Sequence, residues 1–243
     1  IYTLSLHDAL PISSWAIANL QDRGHGNIVV QPAHIVPAEE FHDLGSYVSA
    51  LATIKTMKPR WQPFKHLALG RPALGAYDLK HPYSHDIAAA AEALAGDLEL
   101  ARREEAALVY MGHGNPYYPA GGLYLEFAAA MRRLAPEVPV FIATVEGFPD
   151  FAGVRAQLLH QPCRRVVLKP FLVTAGGHAT EDMAGEQENS WRSRLERDGF
   201  SVLPVLSGLG ENPAFAALFA RHAAEAALDA QLEIGRASCR ERV

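Results

Sequence analysis

Two histidines and a glutamate stand just past three apolar runs of this chain. His113 follows Leu108-Val109-Tyr110-Met111, Glu146 follows Val140-Phe141-Ile142-Ala143-Thr144-Val145, and His178 follows the run from Val166 to Val173. An imidazole can hold a borderline metal or take a proton near neutrality, and a carboxylate adds an anionic oxygen for either task. Two His and one Glu leave coordination positions open for a substrate, unlike the closed ligand set of a structural zinc site. If the runs are strands, the three residues share one rim of one sheet. Open α/β sheets bind their ligands there, beyond the carboxyl ends of the strands. The glycines of Gly112-His113-Gly114 and Gly176-Gly177-His178 fit the same picture, since glycine lets the backbone turn sharply and approach a ligand closely.

The elements that must position these groups are legible. Short β-branched runs alternate with alanine- and leucine-rich amphipathic segments, the pattern of βα units and a parallel sheet. The pattern predicts strands near 28–31, 66–69, 107–111, 139–145, 165–173 and 201–206. It predicts helices near 14–23, 38–57, 85–102, 121–134, 150–160, 187–198 and 212–230. Asn212-Pro213 supplies an N-cap and a first-turn proline, and Gly199 supplies a stop after Asp198.

A repeat runs at an offset of about 138 residues: 13–32, SSWAIANLQDRGHGNIVVQP, aligns without gaps to 151–170, FAGVRAQLLHQPCRRVVLKP. Leu67-Ala68-Leu69 then falls opposite Val205-Leu206-Ser207. The expected fold class is α/β, two similar lobes with parallel sheets flanked by helices, and a cleft between such lobes is a common small-molecule site. The counterpart of Met111-Gly112-His113-Gly114 would precede residue 1, so the first strand of the N-terminal lobe is expected to be missing.

Both ends read as something other than the fold. A back-translation of 233–243, taken on its complementary strand in a shifted frame, reproduces residues 2–12, and that DNA resembles a sequencing-library adapter. Residues 1–12 and 233–243 are therefore expected to be translated adapter, 13–104 the remnant of an N-terminal α/β lobe, and 105–232 a C-terminal α/β lobe carrying the metal site.

The formal net charge of −5 argues against nonspecific nucleic-acid binding, which needs a basic surface. Outside the discounted ends Cys163 stands alone, which excludes a disulfide framework or a cysteine metal site. No apolar run reaches the length of a membrane span. The cytoplasm is the expected compartment, with the periplasm as alternative, and a homo-oligomer stays open.

The motifs carry a resemblance. Val109 to Gly114, Thr144-Val145-Glu146-Gly147, His178-Ala179-Thr180-Glu181-Asp182-Met183-Ala184-Gly185, Ser190-Trp191 and Ser207 to Glu211 resemble the anaerobic cobalt chelatases of the CbiK type. Gln31 to Glu40 and Gly70 to Gly75 extend the likeness over most of the chain, and the His-Ala-x-x-Asp-Met-Ala-Gly stretch is its most specific part. The resemblance implies a bilobal chelatase fold holding the tetrapyrrole sirohydrochlorin between its lobes. It also implies insertion of Co(II), the substrate metal, in the oxygen-independent route to cobalamin, with no organic cofactor. His113, Glu146 and His178 match the family's metal positions, with His113 as principal base and ligand, His178 as its partner across the macrocycle, and Glu146 as ligand or proton acceptor. Rival readings are a sirohydrochlorin ferrochelatase or nickel chelatase, and a non-catalytic carrier of metal or tetrapyrrole.

Other residues have plainer alternatives. His34 is a structural histidine or a cleft residue; Tyr117 and Tyr118 cover the ring face by stacking or anchor their loop. Arg71, with Lys169 and Arg155, pairs with substrate carboxylates or is ordinary surface charge. Glu181 and Asp182 cap the segment that follows or assist metal delivery. His81 and His85 have i, i+4 spacing, but Pro82 between them argues for a loop.

Overall fold

Helices and parallel strands alternate through the whole of the computed structural model, which describes residues 9–232 except 59, 61 and 119. Most of the two stretches read as adapter, 1–8 and 233–243, lies outside the described residues, and residues 9–12 open the first helix. Among the described residues, no helix is long and apolar enough to cross a membrane.

One compact unit combines the described residues up to Pro32 with Glu40–Arg71 and the described residues from Phe219 onward. It contains α1 (Ala9–Asp22), β1 (Asn27–Val30), most of α2 (Glu39–Ala52) and β2 (His66–Leu69). The two strands pair in parallel, Asn27 opposite His66 through Val30 opposite Leu69. Ile17, Ile28, Leu44, Val48 and Phe64 bury their side chains between helices and strands.

The other unit is Ala33–Glu39 with Pro72–Leu218. In chain order it holds α3 (Tyr83–Ala93), α4 (Ala95–Arg103), β3 (Ala107–Gly114), α5 (Gly121–Leu134), β4 (Val140–Glu146), α6 (Phe151–Leu159), β5 (Arg165–Pro170), α7 (Trp191–Arg197) and β6 (Ser201–Pro204). The last helix, α8 (Pro213–Asp229), starts in this unit and continues into the first. The four strands are all parallel, in the order β4-β3-β5-β6. The chain steps outward from β3 to β4, then returns past β3 to begin β5. This reversal makes the carboxyl ends of β3 and β5 the switch point, where an open α/β sheet leaves a crevice for ligands.

Side-chain alternation sorts the core into two layers. Val109, Met111, Phe141, Ala143, Val166 and Leu168 face one side, under Phe151, Val154 and Leu158 of α6 and Trp191 and Leu195 of α7. On the other side Tyr110 meets Phe127 of α5 and Phe171, with ring centroids 5.7 and 5.3 Å apart. Caps fix the helix starts: Asp150 accepts from the Gly153 amide at 2.6 Å, Ser190 from Ser193 at 3.1 Å, and Asn212 from Ala214 at 2.9 Å. Gly199, at φ +87°, follows α7 as the expected stop.

The departures from expectation are local. The helix read over 85–102 is two helices, with Leu94 outside helical geometry at φ −103° and ψ 13°. The strand read to 173 stops at Pro170, because the carbonyls of Leu172 and Val173 turn away to accept from the amides of Leu209 and Gly210. The repeat holds for β1 and β5 but slips at the next strand: Asn27 faces His66, whereas Arg165 faces Ser201, three residues short of a constant offset. Nor do the compact units follow the boundary placed at 104/105. Helices α3 and α4 belong with the four-stranded sheet, to which α4 is tied by Asp97, whose carboxylate receives Lys169 Nζ at 2.5 Å and the Tyr110 hydroxyl at 2.7 Å.

Candidate active site

His113 is the penultimate residue of β3, and half-buried. Its Nδ1 lies 2.9 Å from the Gly114 carbonyl oxygen. A carbonyl can only accept, so Nδ1 carries the proton and donates it, leaving the lone pair on Nε2. His178 opens a π-helical turn, His178–Met183, and its Nδ1 lies 2.6 Å from Asp182 Oδ2. A carboxylate likewise accepts, so in its neutral form this ring has the same tautomer. The two rings meet edge to face, centroids 5.1 Å apart and planes at 81°. The structure thus brings together two imidazoles whose Nε2 lone pairs are uncommitted, at the switch point of the sheet.

The π-helical turn is held from below. Ala179 and Met183 are fully buried in the layer that contains Val109 and Met111, on the same side of the sheet as His113 by strand alternation. Ala184 donates to the carbonyl of Ala179, and Gly185 to that of Glu181, each at 3.1 Å. This turn replaces the loop expected at His178. Gly176 and Gly177 do not have positive φ, and a side chain at either would meet nothing, so neither makes the sharp turn read from the sequence.

Glu146 is the last residue of β4 and is exposed. It stands opposite Gly114 in the parallel register, one residue out of step with His113, so alternation points it to the other side of the sheet. Among the described residues, no group of three His, Cys, Asp or Glu side chains gathers as a metal cage. The strand mouths are nonetheless tightly joined. Gly114 adopts φ +79°, and a Cβ there would sit 1.9 Å from the Glu146 carbonyl oxygen. Gly147, at φ +77°, comes nearly as close to Asn115, with 2.3 Å from a would-be Cβ to the Asn115 carbonyl oxygen.

Asn115 organises the tyrosine loop. Its Oδ1 accepts from the amides of Tyr117 and Tyr118, both at 2.8 Å, and its Nδ2 donates to Glu39 at 3.2 Å. Tyr117 is 85% exposed, its ring turned to solvent, and Tyr118 is 37% exposed. His34 lies beyond β1 in the connection to α2 and is half-buried, its carbonyl accepting from Ala73 at 2.9 Å. Arg71 belongs to the first unit, where its guanidinium lies 2.6 Å from Glu225 with only 12% of the side chain exposed. Arg155 is paired with Asp198, and Lys169 with Asp97. His81 precedes α3 while His85 lies within it.

Sequence reading gave Asp182 as a cap or an aid to metal delivery and did not pair it with His178, although their i, i+4 spacing offered that contact. It missed Asn115, whose place rests on a turn with no sequence period. Cavities of about 430 Å³ at Gly26, Asn27 and Lys65, and of about 250 Å³ between α5 and α6, are not lined by His113, Glu146 or His178.

With the site described, its relatives can be compared. The family model for cobalt chelatase (CbiK) matches residues 6–228. The chain belongs to the CbiK family. Among curated members of similar sequence, sirohydrochlorin cobaltochelatase CbiKC of Nitratidesulfovibrio vulgaris is 36% identical over 205 residues, 84% of this chain and 67% of that protein. The sirohydrochlorin cobaltochelatase of Salmonella typhimurium is 28% identical over 208 residues, 85% and 71% of the two chains. The CbiK-family fold extends to SirB from Bacillus subtilis with Fe3+, at a TM-score of 0.61 and 15% identity over 88% of this chain and 77% of that one. SirB from Bacillus subtilis subspecies spizizenii, in complex with cobalt, gives a TM-score of 0.55 at 15% identity, over 88% and 75% of the chains. At that identity the likeness is one of fold: parallel sheets flanked by helices.

Proposed function

We propose that this chain inserts Co(II) into sirohydrochlorin, a step of anaerobic cobalamin biosynthesis, and that His113 and His178 carry the reaction. The first part rests on membership of the cobalt chelatase family and on relatives that are sirohydrochlorin cobaltochelatases. The second rests on one observation: two imidazoles 5.1 Å apart at the switch point of the sheet, each with Nδ1 against an acceptor oxygen.

Metallation requires two pyrrole N–H protons to leave the macrocycle and the metal to exchange water for ring nitrogens. An Nε2 lone pair serves either need, as a ligand to the arriving metal or as the acceptor of a pyrrole proton. His113, rigid in its strand, is the principal base and ligand, and His178 is its partner. Glu146, at the next strand mouth, takes part as a proton acceptor once substrate is bound. The exposed ring of Tyr117 offers a stacking surface to a planar tetrapyrrole.

Imidazole ligands bind cobalt, iron and nickel alike, so geometry and supply decide among them. The test is an absorbance time course of sirohydrochlorin with Co(II), Fe(II) or Ni(II) and catalytic amounts of protein. Multiple turnovers, fastest with Co(II), are expected. Binding of the tetrapyrrole one to one without faster metallation would identify a carrier instead, and faster turnover with Fe(II) a ferrochelatase.

A further inference from the structure

We infer that Asp182 is a positioning residue for metal insertion, acting through His178. The inference rests on the reading of His178 as a metal ligand or proton acceptor, and it concerns how that imidazole is held. An imidazole in water has no fixed orientation and prefers its proton on Nε2, the wrong nitrogen for a side chain that must present Nε2 to a metal or a pyrrole proton. What the other nitrogen bonds to sets which form is present. Asp182 Oδ2, 2.6 Å from His178 Nδ1, supplies that bond.

The geometry is built by the π-helical turn. His178 and Asp182 are its first and fifth residues, and the buried side chains of Ala179 and Met183 fasten the turn to the sheet between and after them. His178 therefore receives from a side chain the service that the backbone carbonyl of Gly114 gives to His113. The pair is not built for stability: 45% of the His178 side chain and 46% of the Asp182 side chain remain exposed, and ion pairs at such exposure contribute little to folding. Its value lies in orientation, and both Nε2 atoms are left for chemistry.

Asp182→Ala should lose ~10–100-fold in kcat for Co(II) insertion, the usual effect of removing an outer partner of a metal-binding histidine. KM for sirohydrochlorin and the melting temperature should stay close to those of the unchanged chain. Asp182→Asn, which keeps an acceptor oxygen toward Nδ1, should recover much of the loss. In the metal-free protein, ¹⁵N NMR of the histidines should show His178 protonated on Nδ1, and on Nε2 in Asp182→Ala. Normal kcat in Asp182→Ala, or a lost kcat with the His178 tautomer unchanged, would overturn the inference. Failure of the underlying reading looks different: His178→Ala would then turn over normally, whatever the tautomer does.

Discussion

The imidazoles of His113 and His178 meet edge to face, 5.1 Å between centroids, although 65 positions part them in the chain. They arrive from the two neighbouring strands between which the chain reverses its direction across the sheet, β3 and β5. Glu146 arrives from the other neighbour of β3 and falls out of step with the pair.

That mismatch makes the role of Glu146 testable. Glu146→Gln should leave Co(II) affinity of the substrate-free protein near normal in a direct titration, while lowering insertion rate toward the lower end of the ~10²–10⁴-fold range of lost acid-base groups. Co(II) affinity that falls as far as in His178→Ala would make Glu146 a ligand in the free protein.

Gly114→Ala should damage both fold and site. At φ +79° the strained backbone alone costs about 1–3 kcal/mol, and the added Cβ would press on the Glu146 carbonyl oxygen. A clear drop in melting temperature with loss of turnover is expected. Gly176→Ala, where a Cβ meets nothing, should melt as the unchanged chain does.

Arg71, read as a partner of substrate carboxylates or as ordinary surface charge, lies against Glu225. Arg71→Met should therefore cost about 1 kcal/mol of stability, since it removes the nearer of two cations beside a partly buried carboxylate and leaves Arg221 at 3.9 Å. KM for sirohydrochlorin should hardly move. A raised KM at unchanged stability would restore the substrate role.

Asp198 gives a pH-dependent check on packing in the second unit. Hydrogen bonds from Arg155 hold its carboxyl below the usual carboxylate range. A depressed pKa contributes stability above the unfolded value, near 4, and loses it as pH falls through the folded value. Asp198→Asn should thus melt lower than the unchanged chain at pH 7, with the gap closing as the pH is taken below about 4. A gap that is constant with pH would exclude this linkage.

The sheet was legible because the apolar runs at 107–111 and 139–145 are short and rich in β-branched and aromatic residues, while the segments between them are long, amphipathic and rich in alanine and leucine. His113 was legible as a strand-end residue, whereas His178, read as one too, lies in a π-helical turn eight residues past the end of β5. Register was not: nothing local says that Gly114, rather than His113, faces Glu146, and one residue of register reverses which side of the sheet a side chain takes. The π-helical turn at His178 was hidden for a related reason. Its hydrogen bonds depend on Ala179 and Met183 finding a buried layer made of distant strands.

The most direct measurement is the initial rate of Co(II) insertion into sirohydrochlorin by the full chain and by His113→Ala and His178→Ala. Each substitution should slow insertion by ~10²–10⁴-fold at little cost to melting temperature, because neither ring is fully buried. Near-normal rates in both would contradict the assignment of the reaction to this pair.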